Sequence, residues 1–137
     1  MIVIDATDLI VGRLATKVAK LALLGEEVHV INAEKAVFTG NATQVFQRYL
    51  QQFHRGTPSK GPFVQRQAHA MLKRTIRGMI PYKKAMGKEA FARVRCYSGV
   101  PESLKEEKAT TIETAHISKV GVLKFVALGE ISKKLGA

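Results

Sequence analysis

Cysteine, tryptophan and long apolar runs are what this 137-residue chain has least of: one Cys, no Trp, and no stretch approaching 18 apolar residues. A lone thiol, Cys96, excludes an intramolecular disulfide framework and suits a reducing compartment, so a cytoplasmic location is expected. The lack of a long apolar run excludes a membrane-spanning helix, and no membrane partner is expected. The N-terminus, MIVIDATD, reaches Asp5 before any apolar run long enough for a signal peptide develops. The most informative absence is acid. Between Glu34 and Glu89 there is no Asp or Glu across 54 consecutive residues.

What is present sharpens that gap. The chain carries 22 Lys or Arg against 11 Asp or Glu, a formal net charge of +11. Residues 35–88 hold eleven of the basic residues and the remainder of the chain holds eleven of each sign, so the whole excess lies in the middle. A localised excess points to a polyanion-facing surface rather than to general solubility. The 46% apolar content is ordinary for a folded protein, and the length suits a single domain over residues 1–137.

Strand and helix signals alternate along the first forty residues. Ile2-Val3-Ile4 reads as a strand, Gly12 to Leu24 as an amphipathic helix closed by Gly25, and Val28 to Ile31 as a second strand. Strand, helix and strand within about thirty residues form a βαβ unit with parallel pairing. Ala36 to Thr39 offers a third strand and Val94 to Tyr97 a fourth. Asn41 and Gln44 fit a capping box ahead of an apolar stripe of Val45, Phe46, Tyr49, Leu50 and Phe53. GTPSKGPF, residues 56–63, must be loop. Helices are expected from Gln65 to Met79, stopped by Pro81, over 85–93, and in PESLKEEK from Pro101. The tail combines an apolar stretch, Val120 to Leu128, with a last helical turn or two.

The stretch KRTIRGMIPYKK, residues 73–84, lies at the centre of the basic region. At about 100° per residue, Arg66, Lys73 and Arg77 fall on one side of the helix, opposite Ala68, Met71, Leu72, Thr75, Ile76 and Met79. The geometry gives a basic line about 16 Å long, at about 1.5 Å rise per residue. Lys73 and Arg77, one turn apart, repel unless an anion relieves them, and no acid nearby in sequence does so. Tyr82, Lys83, Lys84 and Lys88 carry the basic surface onward, and Arg55 and Lys60 place charge on the Gly-rich loop, where small residues allow close approach to a nucleic-acid backbone. Lys35, Arg48 and Arg74 complete the acid-free set. Tyr49, Phe63 and Tyr82 are candidates to stack on unpaired bases, although Tyr49 fits the core equally well.

Enzyme signals are sparse. ATDLIVGR lacks the spacing of a dinucleotide-binding loop, and Gly87-Lys88-Glu89 is no P-loop. His29, His54, His69 and His116 are scattered without metal-ligand spacing, and no nucleophile–base constellation is visible. Asp5 and Asp8 read as caps of the first helix. No cofactor, metal or small-molecule substrate is expected. The rival reading is a small nucleotide-dependent α/β enzyme using the turn after Asp5.

A series of ordered segments adds a resemblance: Asp5-Ala6, Gly12-Arg13-Leu14-Ala15, Val28 to Glu34, Thr39-Gly40-Asn41, Arg55 to Pro58, Gly61-Pro62-Phe63, Arg74 to Lys83, Arg93-Val94-Arg95 and Tyr97 to Pro101. Together they resemble the large-subunit ribosomal protein family L-thirteen, in its archaeal and eukaryotic form. The resemblance implies a three-layer α/β/α domain with a four-stranded, mostly parallel sheet. It also implies a non-enzymatic role in binding large-subunit rRNA and supporting assembly, beside neighbouring large-subunit proteins. Carried over residue by residue, the RNA-facing positions are Arg74, Arg77, Gly78, Tyr82 and Lys83, with Arg13, Arg55 and Arg66 at further basic positions. Where archaeal members often read Arg-Ala-Pro, this chain has Arg66-Gln67-Ala68, and Lys83-Lys84 replaces a frequent Lys-Thr.

Overall fold

The computed structural model describes residues 1–137. Strand β1 (Ile2–Asp5), helix α1 (Val11–Leu23) and strand β2 (Val28–Ile31) form the expected βαβ unit, with β1 and β2 parallel and Ile2 opposite Val28. Helix α1 forms because Val11, Leu14, Ala15, Val18, Ala19 and Ala22 recur on one face, and all six are buried. It ends in a Schellman motif. The Gly25 N–H donates to the Ala22 carbonyl and the Glu26 N–H to the Leu21 carbonyl, each at 3.1 Å, with Gly25 at φ +100°.

Strand β3 (Val37–Thr39), helices α2 (Ala42–Phe53), α3 (Ala68–Gly78) and α4 (Ala85–Ala92), strands β4 (Val94–Cys96) and β5 (Phe125–Ala127) and helix α5 (Leu128–Lys134) complete the fold. The parallel sheet has three strands in the order β1-β2-β4, and β3 pairs antiparallel with β5 in a separate ribbon. The expected single four-stranded sheet is therefore corrected. After β2 the chain enters the left-handed region at Asn32 (φ +54°) and passes through a 3-10 turn, Ala33–Lys35. That turn redirects residues 37–39 away from the parallel sheet and toward β5.

The layering differs too. Val28, Val30, Val94, Ile4 and Cys96 face a core shared with α1, α3, α4 and α5, including Leu14, Leu72, Ile76, Ala90 and Ile131. The other face carries only a small cluster of Val3, Ile31 and Leu104, with Tyr97 packed against it. Leu104 belongs to a single 3-10 turn, Glu102–Leu104, where a charged helix was expected. PESLKEEK offers one apolar anchor, too little to hold a helix of its own on the sheet. The third layer is a loop segment, not a helical one.

Asp5 and Asp8 do not cap α1, whose N-cap is Ile10 without a side-chain bond. Asp5 instead accepts from the Thr7 N–H (3.0 Å), the Thr7 hydroxyl (2.7 Å) and the Asn32 side-chain amide (3.0 Å). The turn after β1 is also closed by the C-terminal segment. The Asp5 N–H donates to the Thr110 carbonyl, the Ile10 N–H to the Ala115 carbonyl, and the Ile117 N–H to the Asp8 carbonyl. Ala6 and Leu9 are fully buried there. A nucleotide in this turn would have to displace the protein's own backbone, which removes the basis of the enzyme reading.

Partial burial acts to raise the Asp5 pKa, but the hydrogen bonds from Asn32 and Thr7, with the Lys35 charge, outweigh it and hold the carboxyl below its ordinary value near 3.8. A depressed folded-state pKa contributes stability that is complete above the ordinary value and lost as pH falls through the lowered one. Asp5→Asn is expected to be less stable at neutral pH and to lose stability less steeply in acid; urea titrations across the acid range measure this. Equal acid slopes in the two proteins would contradict it. Glycine substitutions give a second test. A Cβ on Gly87 would overlap the Pro81 carbonyl, where α4 packs on the turn after α3, whereas a Cβ on Gly12 meets nothing within 4 Å. Gly87→Ala is expected to cost about 1–3 kcal/mol by overpacking, and Gly12→Ala to add about 0.4–1 kcal/mol, both read from denaturation midpoints.

Candidate nucleic-acid interface

Helix α3 begins at Ala68, with Gln67 as its N-cap, rather than at Gln65. Of the residues the periodicity places inward, Ala68, Met71, Leu72 and Ile76 are buried and Thr75 is half-buried, whereas Met79, at the C-cap, is 42% exposed. The later start takes Arg66 off the helix, so the expected straight line of Arg66, Lys73 and Arg77 is corrected. The Arg66 guanidinium lies 4.8 Å from the centre of the Phe53 ring on α2, and its carbonyl accepts from the Ser132 hydroxyl at 2.7 Å. The cations that α3 does present are Lys73, Arg74 and Arg77.

These three open onto a cleft of about 740 Å³ between α3 and the edge strand β4. Arg95 and Tyr97 line the β4 side, Phe63 reaches in from the Gly-rich loop, and Phe91 and Cys96 contribute apolar surface. Burial pushes the Cys96 thiol up to about 12 despite the Lys73 charge, so it stays neutral and lines the cleft as a small apolar group. Arg55 and Arg66 line an adjoining cleft of about 550 Å³, which shares Phe63 with the first. Arg74 and Gly78 also border a smaller hollow beside Tyr49. Along this side the sequence-identified residues Arg55, Arg66, Lys73, Arg74, Arg77 and Gly78 come together.

The remaining candidates are exposed and line none of these clefts. Tyr82, Lys83 and Lys84 occupy the turn between α3 and α4, Lys88 is on α4, Arg48 on α2, and Lys60 in the 56–63 loop. Lys35 is in the 3-10 turn after β2. Arg13, on α1, donates to the Thr114 carbonyl at 3.0 Å and is thereby tied to the C-terminal segment. Of the three aromatics considered for stacking, Phe63 is 73% exposed and Tyr82 is 40% exposed. Tyr49 is half-buried with its ring 5.9 Å from that of Phe38, and burial raises its phenol pKa against the charges of Arg48 and Arg74. It belongs to the packing of α2.

Arg95 was not among the residues singled out by the basic stretch. The signal for it is the strand alternation: Val94 and Cys96 point into the core, so Arg95 between them points out.

Charge balance is the decisive property of this surface. The ion pairs within 4.0 Å are Arg93–Glu89 and Lys105–Glu102, and neither involves a cation from residues 35–88. Lys35 lies close enough to act on the Asp5 carboxyl, but none of the eleven cations pairs with a carboxylate within 4.0 Å. Aromatic rings lie near three of the cations instead: Phe53 near Arg66, Phe91 near Lys73 at 5.0 Å, and Tyr82 near Arg77 at 5.1 Å. Such contacts orient a cation and leave its charge uncompensated.

Comparison with known proteins gives a consistent picture. The family described as Ribosomal protein L13 matches residues 1–103. The large ribosomal subunit protein uL13 of Archaeoglobus fulgidus is 46% identical over 135 residues, covering 98% of this chain and 86% of that protein. Those of Methanococcoides burtonii and Methanococcus maripaludis are 42% and 45% identical, each across all of this chain and nearly all of their own length. The parallel βαβ start, the basic α3 surface and these matches agree: the chain belongs to the ribosomal protein L13 family.

Proposed function

We propose that this chain is a non-enzymatic, structural constituent of the large ribosomal subunit in the cytoplasm. It binds large-subunit rRNA through the basic surface of residues 35–88 and supports assembly beside neighbouring subunit proteins. The observation that carries the reading is a set of eleven Lys and Arg residues, none of which forms an ion pair with a carboxylate within 4.0 Å. Phosphates repeat along an RNA strand at intervals of a few ångströms, so such a set neutralises several at once, and each contact releases a condensed counterion. Residues 1–137 act as one domain. Its core fixes the spacing of Lys73, Arg74, Arg77 and Arg95, and the loop and turn cations Arg55, Lys60, Lys83 and Lys84 flank them. Arg13, Lys35, Arg48, Arg66, Gly78, Tyr82 and Lys88 complete the proposed contact set. Holding two RNA segments against one rigid face favours compact over extended rRNA.

Two measurements test this. The logarithm of rRNA-fragment affinity is expected to fall linearly with the logarithm of salt, with a slope of about −0.7 to −0.9 per phosphate contact, hence about −3 or steeper for four or more. An affinity that barely responds to salt would contradict phosphate neutralisation. The double variant Arg74→Glu, Arg77→Glu is expected to lower affinity by about a hundredfold or more with an unchanged circular dichroism spectrum, because both side chains are exposed. Unchanged binding would remove α3 from the interface.

A further inference from the structure

The cleft between α3 and β4 has a shape and lining that the outer basic surface does not. A duplex of A-form RNA presents a wide, shallow minor groove and ridges of phosphate, which suit a flat or convex protein surface. A concave cleft of about 740 Å³ cannot receive a duplex, yet it is of the size that admits a single ligand the size of a nucleotide. Its cations come from two elements: Lys73, Arg74 and Arg77 from α3, and Arg95 from β4.

The aromatic groups are placed for a base. Phe63 is 73% exposed, an unfavourable state for a ring of its size, and its ring lies close against Gly61, where a Cβ would come within 3.3 Å of it. Gly61 is held at φ +91° by a closed turn in which its N–H donates to the Thr57 carbonyl and its carbonyl accepts from the Thr57 N–H. Tyr97, on the β4 side, is fixed by stacking on His29 with ring centres 5.8 Å apart and planes 22° apart. β4 pairs only with β2, so no further strand covers this edge. No carboxylate lines the cleft.

We propose that this cleft receives one unpaired nucleotide of the RNA, a bulged or loop residue turned out of its stack. The base inserts beside Phe63 and Tyr97, and its flanking phosphates meet Arg95 and the α3 cations. This rests on the rRNA-binding reading above and deepens it, adding a preference for an unpaired base to charge-driven attachment. The preference is sequence-tolerant, since every base has a face to stack.

Fluorescence anisotropy with three labelled RNA hairpins tests it. One has a fully paired stem, one carries a single-adenosine bulge, and one carries an abasic residue at the bulge. The wild-type chain is expected to bind the adenosine bulge about tenfold more tightly than either of the others. Phe63→Ala, at an exposed position, is expected to erase that preference while leaving affinity for the paired stem unchanged. Equal, salt-dependent binding of all three hairpins overturns the nucleotide cleft and leaves the charge-driven reading standing. An abasic bulge that binds as well as adenosine, or a preference that survives Phe63→Ala, also overturns it. Weak, salt-insensitive binding of all three overturns both.

Discussion

Positive charge without a partner is the constraint around which this protein is organised. Lys73 and Arg77 lie one helical turn apart on α3, and their mutual repulsion costs a few tenths of a kcal/mol. The same helix buries Met71, Leu72 and Ile76 on its other side, each worth about 1.5–3 kcal/mol. The apolar side wins by a wide margin, so the fold can hold a row of like charges in place before any anion arrives. The rings of Phe91 and Tyr82 lie against two of these side chains and reduce the freedom they lose on binding. The free protein therefore presents cations at fixed spacing, with no carboxylate to displace first.

The α/β core serves this surface more than it serves a pocket at the strand ends. In open parallel sheets, ligands commonly bind beyond the carboxyl ends of the strands. Here the segments after β2 and β4 are tied to each other, beside a cleft of about 470 Å³ lined by Glu34, Cys96, Tyr97 and Ser98. The Asn32 N–H donates to the Gly99 carbonyl, the Ala33 N–H to the Tyr97 carbonyl, and the Gly99 N–H to the Glu34 carboxylate at 2.9 Å. Thr110 bridges to Ile4 along the outer edge of β1 and adds its hydroxyl to the Val3 carbonyl. The edge of the sheet along β4 carries no further strand, and the cleft lined by Arg95 and the cations of α3 opens there.

Much of this was legible in the sequence, for identifiable reasons. α1, α2 and the inward side of α3 follow from apolar spacing, because burial of one face decides whether such segments become helices. The cation cluster at α3 follows from the acid-free stretch. The sheet was less legible. Val37-Phe38-Thr39 looks like any short strand, and only the left-handed turn at Asn32 decides which partner it meets, a choice made by tertiary packing. Periodicity places Arg66 on the helix, yet Gln67 is extended, α3 starts only at Ala68, and the Arg66 side chain goes to Phe53. Arg95 escaped because a single cation in a strand carries no charge signal, although the alternation of Val94 and Cys96 marks its direction. That Phe63 lines the same cleft as Arg95 follows from the path of the 56–63 loop, which no pattern of residue types specifies.

On the proposed function, unpaired charge, held rigidly, attaches this chain to the large ribosomal subunit. Sedimentation of the tagged chain through sucrose gradients at increasing monovalent salt tests it most directly. The chain is expected to travel with large subunits at low and moderate salt and to leave them only at high salt. Recovery at the top of the gradient at low salt, or release independent of salt, would contradict attachment by charge.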